Sequence, residues 1–140
     1  MIATEPSPAV LYIDDSVASI HLISGVLKRA AGEGRNPVRL ISAMRGNLGL
    51  EMARVHAPDL ILLDLHLPDM PGIQVLNQLK SDATTSSIPV VVLTADPLPG
   101  TNAEVRAAGA AACLSKPIDV AQFLETVRQQ LRDKKTTIGL

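Results

Sequence analysis

The chain has 140 residues and nearly balanced charge, with 13 Lys plus Arg against 14 Asp plus Glu, so it has no basic field to recruit nucleic acid. A hydrophobic share of 46% fits one domain with a real core; one Tyr, one Phe and no Trp leave that core to Val, Ile, Leu and Ala, with no platform for stacking bases. The single Cys excludes an internal disulfide and fits a reducing compartment, no apolar run nears the ~18 residues that cross a bilayer, and the start of the chain lacks the pattern of a signal peptide, so the expectation is a soluble cytoplasmic domain with neither membrane nor nucleic acid as partner.

In chain order, residues 1–8 read as a flexible lead-in, 9–134 as one domain and 135–140 as a tail. Ala9–Ile13 is an apolar strand ending in Asp14 and Asp15. Ser16 can cap the helix after it, which carries Ile20, Ile23, Leu27 and Ala31 at helical spacing. Residues 32–37, rich in Gly and ending in Pro, break that helix. Val38–Ala43 reads as a second strand. Gly46–His56 reads as a helix with Leu50, Ala53 and Ala57 on one face, stopped at Pro58. Leu60–Leu63 is a strand buried on both faces, and it runs into Asp64.

After a Pro/Gly-punctuated loop, Pro71 suits the first turn of a helix whose Ile73, Leu76 and Leu79 face inward. Residues 81–87 read as a polar loop, and Pro89–Leu93 as a fourth strand ending at Thr94. Residues 96–100 read as irregular, followed by a short helix around Glu104–Ala108 that Gly109 terminates. Ala111–Leu114 is a short fifth strand ending in Ser115-Lys116-Pro117. Asp119 and Gln122 suit the start of a last helix, with Val120, Phe123, Leu124, Val127 and Leu131 as its apolar stripe. Arg128, Arg132, Lys134 and Lys135 lie towards its C-terminal end. Alternating strands and helices predict an α/β fold, a doubly wound five-stranded parallel sheet of order 2-1-3-4-5, flavodoxin-like.

Parallel strands deliver their last residues to one edge. Strand one brings Asp14 and Asp15, strand three Asp64, strand four Thr94 and strand five Lys116. Three carboxylates in one crevice repel, and either a cation or a raised pKa relieves them. Oxygen donors alone suit a hard ion, with Mg²⁺ the usual choice beside phosphate. An ammonium and a hydroxyl opposite the acids suit phosphoryl oxygens, so the set describes phosphoryl transfer to an Asp side chain.

These residues resemble a response-regulator receiver domain of the CheY-like superfamily. The matching pieces are Val10–Asp15, Leu62–Gly72, Val92–Ala95 and Lys116-Pro117, in the family's order and spacing, so that the resemblance covers roughly residues 8–132. It implies that Asp64 is the phosphoacceptor, supplied by a histidine kinase or a histidine phosphotransfer protein. It implies that Asp15, Asp64 and the backbone carbonyl of His66 bind Mg²⁺ directly, with Asp14 helping through water. Thr94 and the Ala95 N–H would hold one phosphoryl oxygen and Lys116 another, and the Lys116-Pro117 bond would be cis. Such a domain catalyses its own transfer and hydrolysis, is not an enzyme with an independent substrate, and acts on a downstream protein that the sequence does not name. His66 and Asp96 stand at the two variable positions that tune phosphate loss in the family.

The chain departs from the pattern at Cys113, where the family usually has Tyr or Phe. The switch that couples Thr movement to that ring has no ring here, which favours a second reading: a phosphorylation-independent pseudo-receiver that acts by protein–protein contact. Residues 44–51 are similar to receivers attached to sensor kinases, which sets a receiver cut from a hybrid kinase beside a stand-alone one. An enzyme of another doubly wound class is disfavoured, because Asp14-Asp15-Ser16 is neither a Gly-rich phosphate loop nor an Asp-x-Asp motif. Plainer roles apply elsewhere. His21 and His56 read as solvated helix residues and Cys113 as a small buried hydrophobe. The His66 ring reads as a loop side chain, since no second His or Cys stands at ligand spacing.

Overall fold

A computed structural model describes residues 7–31, 38–95 and 99–134. The expectations for residues 1–6, for the break at 32–37, for Asp96 and for the tail from Lys135 lie outside those residues. The elements alternate as β1 (Ala9–Ile13), α1 (Val17–Ala31), β2 (Arg39–Ala43), α2 (Gly46–His56), β3 (Leu60–Asp64), α3 (Gly72–Ser81), β4 (Val90–Thr94), α4 (Pro99–Ala107), β5 (Ala112–Ser115) and α5 (Val120–Lys134). The strands form one sheet of order β2-β1-β3-β4-β5, every pair parallel, as the alternation predicts.

The two faces of the sheet follow from the period-two alternation of strand side chains. Leu11, Ile13, Ile61, Leu63, Val90 and Val92 pack under α2, α3 and α4 against Leu50, Leu76, Leu79 and Val105. Val10, Tyr12, Leu60, Leu62, Val91 and Leu93 pack under α1 and α5 against Ile23, Leu27, Phe123, Val127 and Leu131. Because both faces are covered, β1, β3 and β4 are buried along their whole length. This is why they appear as unbroken apolar runs.

The helix starts show how short polar side chains set the boundaries. The Ser16 hydroxyl accepts the Ser19 N–H at 3.2 Å, and Asp119 Oδ1 accepts the Gln122 N–H at 3.0 Å. Each satisfies a donor that the first turn leaves without a partner. Gly109 has φ of +109°, a conformation that disfavours a side chain, and it ends the segment after α4.

Four local expectations are corrected. Pro71 is the N-cap of α3 with ψ of 141°, one residue before the helix proper. Ala57 is exposed and left-handed (φ 45°, ψ 60°), because Pro58 disfavours right-handed helical geometry at the residue before it. α4 begins at Pro99, where a missing N–H costs nothing, so residues 99 and 100 are helical. Val120 is 46% exposed, and the buried stripe of α5 begins at Phe123.

Candidate functional site

The site lies beyond the C-terminal ends of β1, β3, β4 and β5. Parallel register places Asp64 beside Leu93 and Thr94 beside Ser115. The Lys116 N–H donates to the Thr94 carbonyl at 2.8 Å, which ties the exit of β5 to that of β4. The Lys116-Pro117 peptide is cis. The Lys116 side chain reaches over the edge of the sheet to Asp14, 102 positions earlier.

Asp14 is fully buried and Asp64 nearly so, while Asp15 is exposed. The three carboxylates each offer an oxygen within 4.8 Å of the others. Lys116 Nζ lies 2.8 Å from Asp14 Oδ2 and 3.8 Å from Asp64 Oδ2. Asp14 also accepts the Tyr12 hydroxyl at 2.6 Å and the Ser16 N–H at 2.9 Å. Asp64 accepts only a long bond, 3.4 Å, from the His66 N–H among the hydrogen bonds described for it.

This inequality sets the electrostatics. Burial works against the charge of Asp14, but the Lys116 ammonium, the Tyr12 hydroxyl and the Ser16 N–H together hold its carboxyl below the usual range. Burial and the neighbouring Asp14 carboxylate raise Asp64, and the more distant Lys116 does not offset them. Of the two buried carboxylates, Asp64 has more to gain than Asp14 from an added cation or from losing its charge to a covalent bond. Oxygen donors from three acids, one exposed to solvent, fit a hard divalent ion that keeps part of its water shell.

Thr94 is buried at the end of β4, and Ala95 is exposed beside it. His66 is exposed, in the loop after β3. That loop is pinned at both sides. Gly72 N–H donates to the Leu65 carbonyl at 2.8 Å. Asp69 accepts the Gly46 N–H at 2.7 Å and the Asn47 N–H at 2.9 Å, capping α2 from a distant part of the chain. Cys113 is half-buried on β5, opposite Val92, and burial pushes its thiol up.

All the predicted acids and the lysine thus converge, with Thr94, Ala95 and His66 at the same edge. Sequence reasoning missed Tyr12 and Asp69. Tyr12 had a readable signal: residues two apart on a strand share a face, so the one polar-tipped side chain of β1 had to point the same way as Asp14. Asp69 had none, since its partners lie more than twenty residues earlier.

A doubly wound parallel sheet with an acidic crevice and a lysine at its carboxyl edge defines the class: a flavodoxin-like α/β domain with its ligand site where the strands end. The chain belongs to the response regulator receiver domain family, whose model matches residues 10–128. Among curated proteins it is 34% identical over 125 residues to the polar-differentiation response regulator DivK of Brucella anthropi, covering 89% of this chain and 97% of that one. Among solved structures it is similar to the chemotaxis protein CheY4 of Vibrio cholerae, with TM-score 0.79, 25% identity and coverage of 90% and 100%. The receiver domain of the sensor histidine kinase PA1611 from Pseudomonas aeruginosa, a structure with a magnesium ion coordinated in its active site cleft, shares the fold at TM-score 0.77, 22% identity and coverage of 90% and 98%. Among the described residues no helix is long and apolar enough to cross a membrane.

Proposed function

We propose that this chain is a phosphoryl-accepting receiver of a two-component or phosphorelay pathway, phosphorylated on Asp64 by a histidine kinase or histidine phosphotransfer protein. The observation that carries the reading is the placement of Asp64: nearly buried, its carboxyl raised, within 4.8 Å of two further carboxylates and 3.8 Å from an ammonium. In the transfer, an Asp64 oxygen attacks the phosphorus of a phosphohistidine. The P–O bond forms as the P–N bond breaks, and the imidazole leaves with the electron pair and takes up a proton.

Asp15, Asp64 and the His66 carbonyl would hold Mg²⁺ directly, with Asp14 helping through water, and the ion when bound would neutralise charge on the phosphoryl oxygens. Lys116 sits close enough to Asp64 to move onto one phosphoryl oxygen. Thr94 and the Ala95 N–H would receive another. The domain handles its own phosphoryl group and has no separate substrate. The magnesium ion coordinated in the active site cleft of the PA1611 receiver supports the choice of ion.

Cys113 favours one alternative, a pseudo-receiver that signals by contact alone, because the position offers no ring to couple to Thr94. Intact mass after incubation with acetyl phosphate, with and without Mg²⁺, separates the readings. One phosphoryl group gained by wild type in Mg²⁺, and none by Asp64→Ala, is the expected result. No gain by wild type would leave the contact-only reading.

A further inference from the structure

Tyr12 is the chain's one tyrosine, and its side chain is fully buried. Its hydroxyl donates to Asp14 Oδ2 at 2.6 Å, and Lys116 Nζ donates to the same oxygen at 2.8 Å. The other Asp14 oxygen accepts the Ser16 N–H. Asp14 has no solvent exposure, so its charge depends on these protein donors.

Lys116 Nζ is 1 Å closer to Asp14 Oδ2, at 2.8 Å, than to Asp64 Oδ2, at 3.8 Å. Engaging a phosphoryl group on Asp64 draws the ammonium away from Asp14. A buried carboxylate that loses its cation is strongly destabilised unless another donor stays in place. The Tyr12 hydroxyl is that donor. Its ring is locked in the core under α1 and α5 with Ile23, Leu62 and Phe123, so it acts without moving. Phe123, fully buried in the same cluster, shows that this layer of the core takes an aromatic ring with no hydroxyl.

We propose that Tyr12 is a positioning residue for phosphoryl capture: its hydroxyl keeps Asp14 fixed and hydrogen-bonded while Lys116 transfers from Asp14 Oδ2 to the phosphoryl group on Asp64. The proposal rests on the reading of Asp64 as acceptor. Removing the hydroxyl leaves Lys116 as the only side-chain donor described on Asp14 Oδ2, strengthens its hold there, and weakens capture of a phosphoryl group. Mg²⁺ alone does not require Lys116 to leave Asp14, so its binding is little changed.

The test compares wild type, Tyr12→Phe and Asp64→Ala for Mg²⁺ affinity and then, in saturating Mg²⁺, for affinity for the phosphoryl mimic beryllofluoride. Tyr12→Phe should bind Mg²⁺ as wild type does and bind beryllofluoride on the order of tenfold more weakly. Because the chain holds a single Tyr, 3-fluorotyrosine labels position 12 alone in the otherwise wild-type protein. Its fluorine resonance, taken from the Mg²⁺-saturated protein as reference, should shift further when beryllofluoride is added and show no such further shift in Asp64→Ala, a result that stands even if Tyr12→Phe fails to fold. Equal beryllofluoride affinities in wild type and Tyr12→Phe, a stationary resonance, or equal losses of Mg²⁺ and beryllofluoride binding would each overturn the proposal. Wild type that binds no beryllofluoride at all would instead overturn the acceptor reading beneath it.

Discussion

Asp14 and Asp64 face one ammonium, and Lys116 stands nearer to Asp14. The consequence is a paired carboxylate below its usual range beside a poorly paired one above it. This division suits a site in which one acid anchors and the other reacts. His66, exposed in the loop directly after Asp64, is placed to influence water approaching from solvent without being part of the acid cluster. His66→Asn should therefore change the lifetime of the aspartyl phosphate and leave its formation intact. Decay of the phosphorylated form, followed by intact mass, checks this, and equal decay rates for the two proteins would count against it.

At the scale of elements, the loop between β3 and α3 carries the strictest local demands. A Cβ on Gly72 would lie 2.5 Å from the Asp64 carbonyl oxygen, against backbone that has nowhere to retreat. Gly72→Ala should cost about 1–3 kcal/mol, measured by denaturant unfolding, and should also weaken Mg²⁺ binding by displacing that loop. Asp69 holds the same loop to the start of α2. The Asn47 N–H and then the Gly46 N–H keep its carboxyl below the usual carboxylate range. A depressed folded pKa gives stability that is present above the unfolded value, ~4, and is lost as pH falls through the folded value. Wild type should therefore exceed Asp69→Asn in melting temperature near neutral pH, and the gap should close as pH drops below ~4.

Elements were legible where burial dictates residue type. β1 and α2 carry their boundaries in their apolar patterns, and β4 and β5 differ from their predicted limits by one residue. Boundaries set by backbone geometry were less legible. Pro71 shows this, since both an N-cap and a first-turn residue accept its fixed φ. Ala57 fits a helical stripe by spacing, but Pro58 forces it out of the helix. The acid and lysine positions of the site were legible because each follows an apolar run that ends abruptly. Asp69 was not, because its bonds depend on how the loop after β3 meets the start of α2 rather than on any local pattern.

Across the whole molecule, the parallel sheet is what brings Asp14, Asp64, Thr94 and Lys116 together from strands spread over about a hundred residues. Both core layers lie behind that edge, so a ligand bound at the edge stabilises the folded state against an unfolded chain in which the acids are scattered. Mg²⁺ at a hundred times its dissociation constant should add about 2.7 kcal/mol to folding stability. Chelation should remove that gain, and Asp64→Asn should show much less of it. Thermal melts across a Mg²⁺ series check this, and identical shifts in wild type and Asp64→Asn would place the ion elsewhere. The measurement that bears most directly on the central claim is chemical mapping of the phosphoryl group. The protein would be treated with acetyl phosphate and Mg²⁺, reduced with borohydride, which converts an aspartyl phosphate to homoserine, and digested for peptide sequencing. Homoserine at position 64 alone is the predicted result. Homoserine at Asp14 or Asp15, or none anywhere, would contradict the assignment of Asp64 as the acceptor.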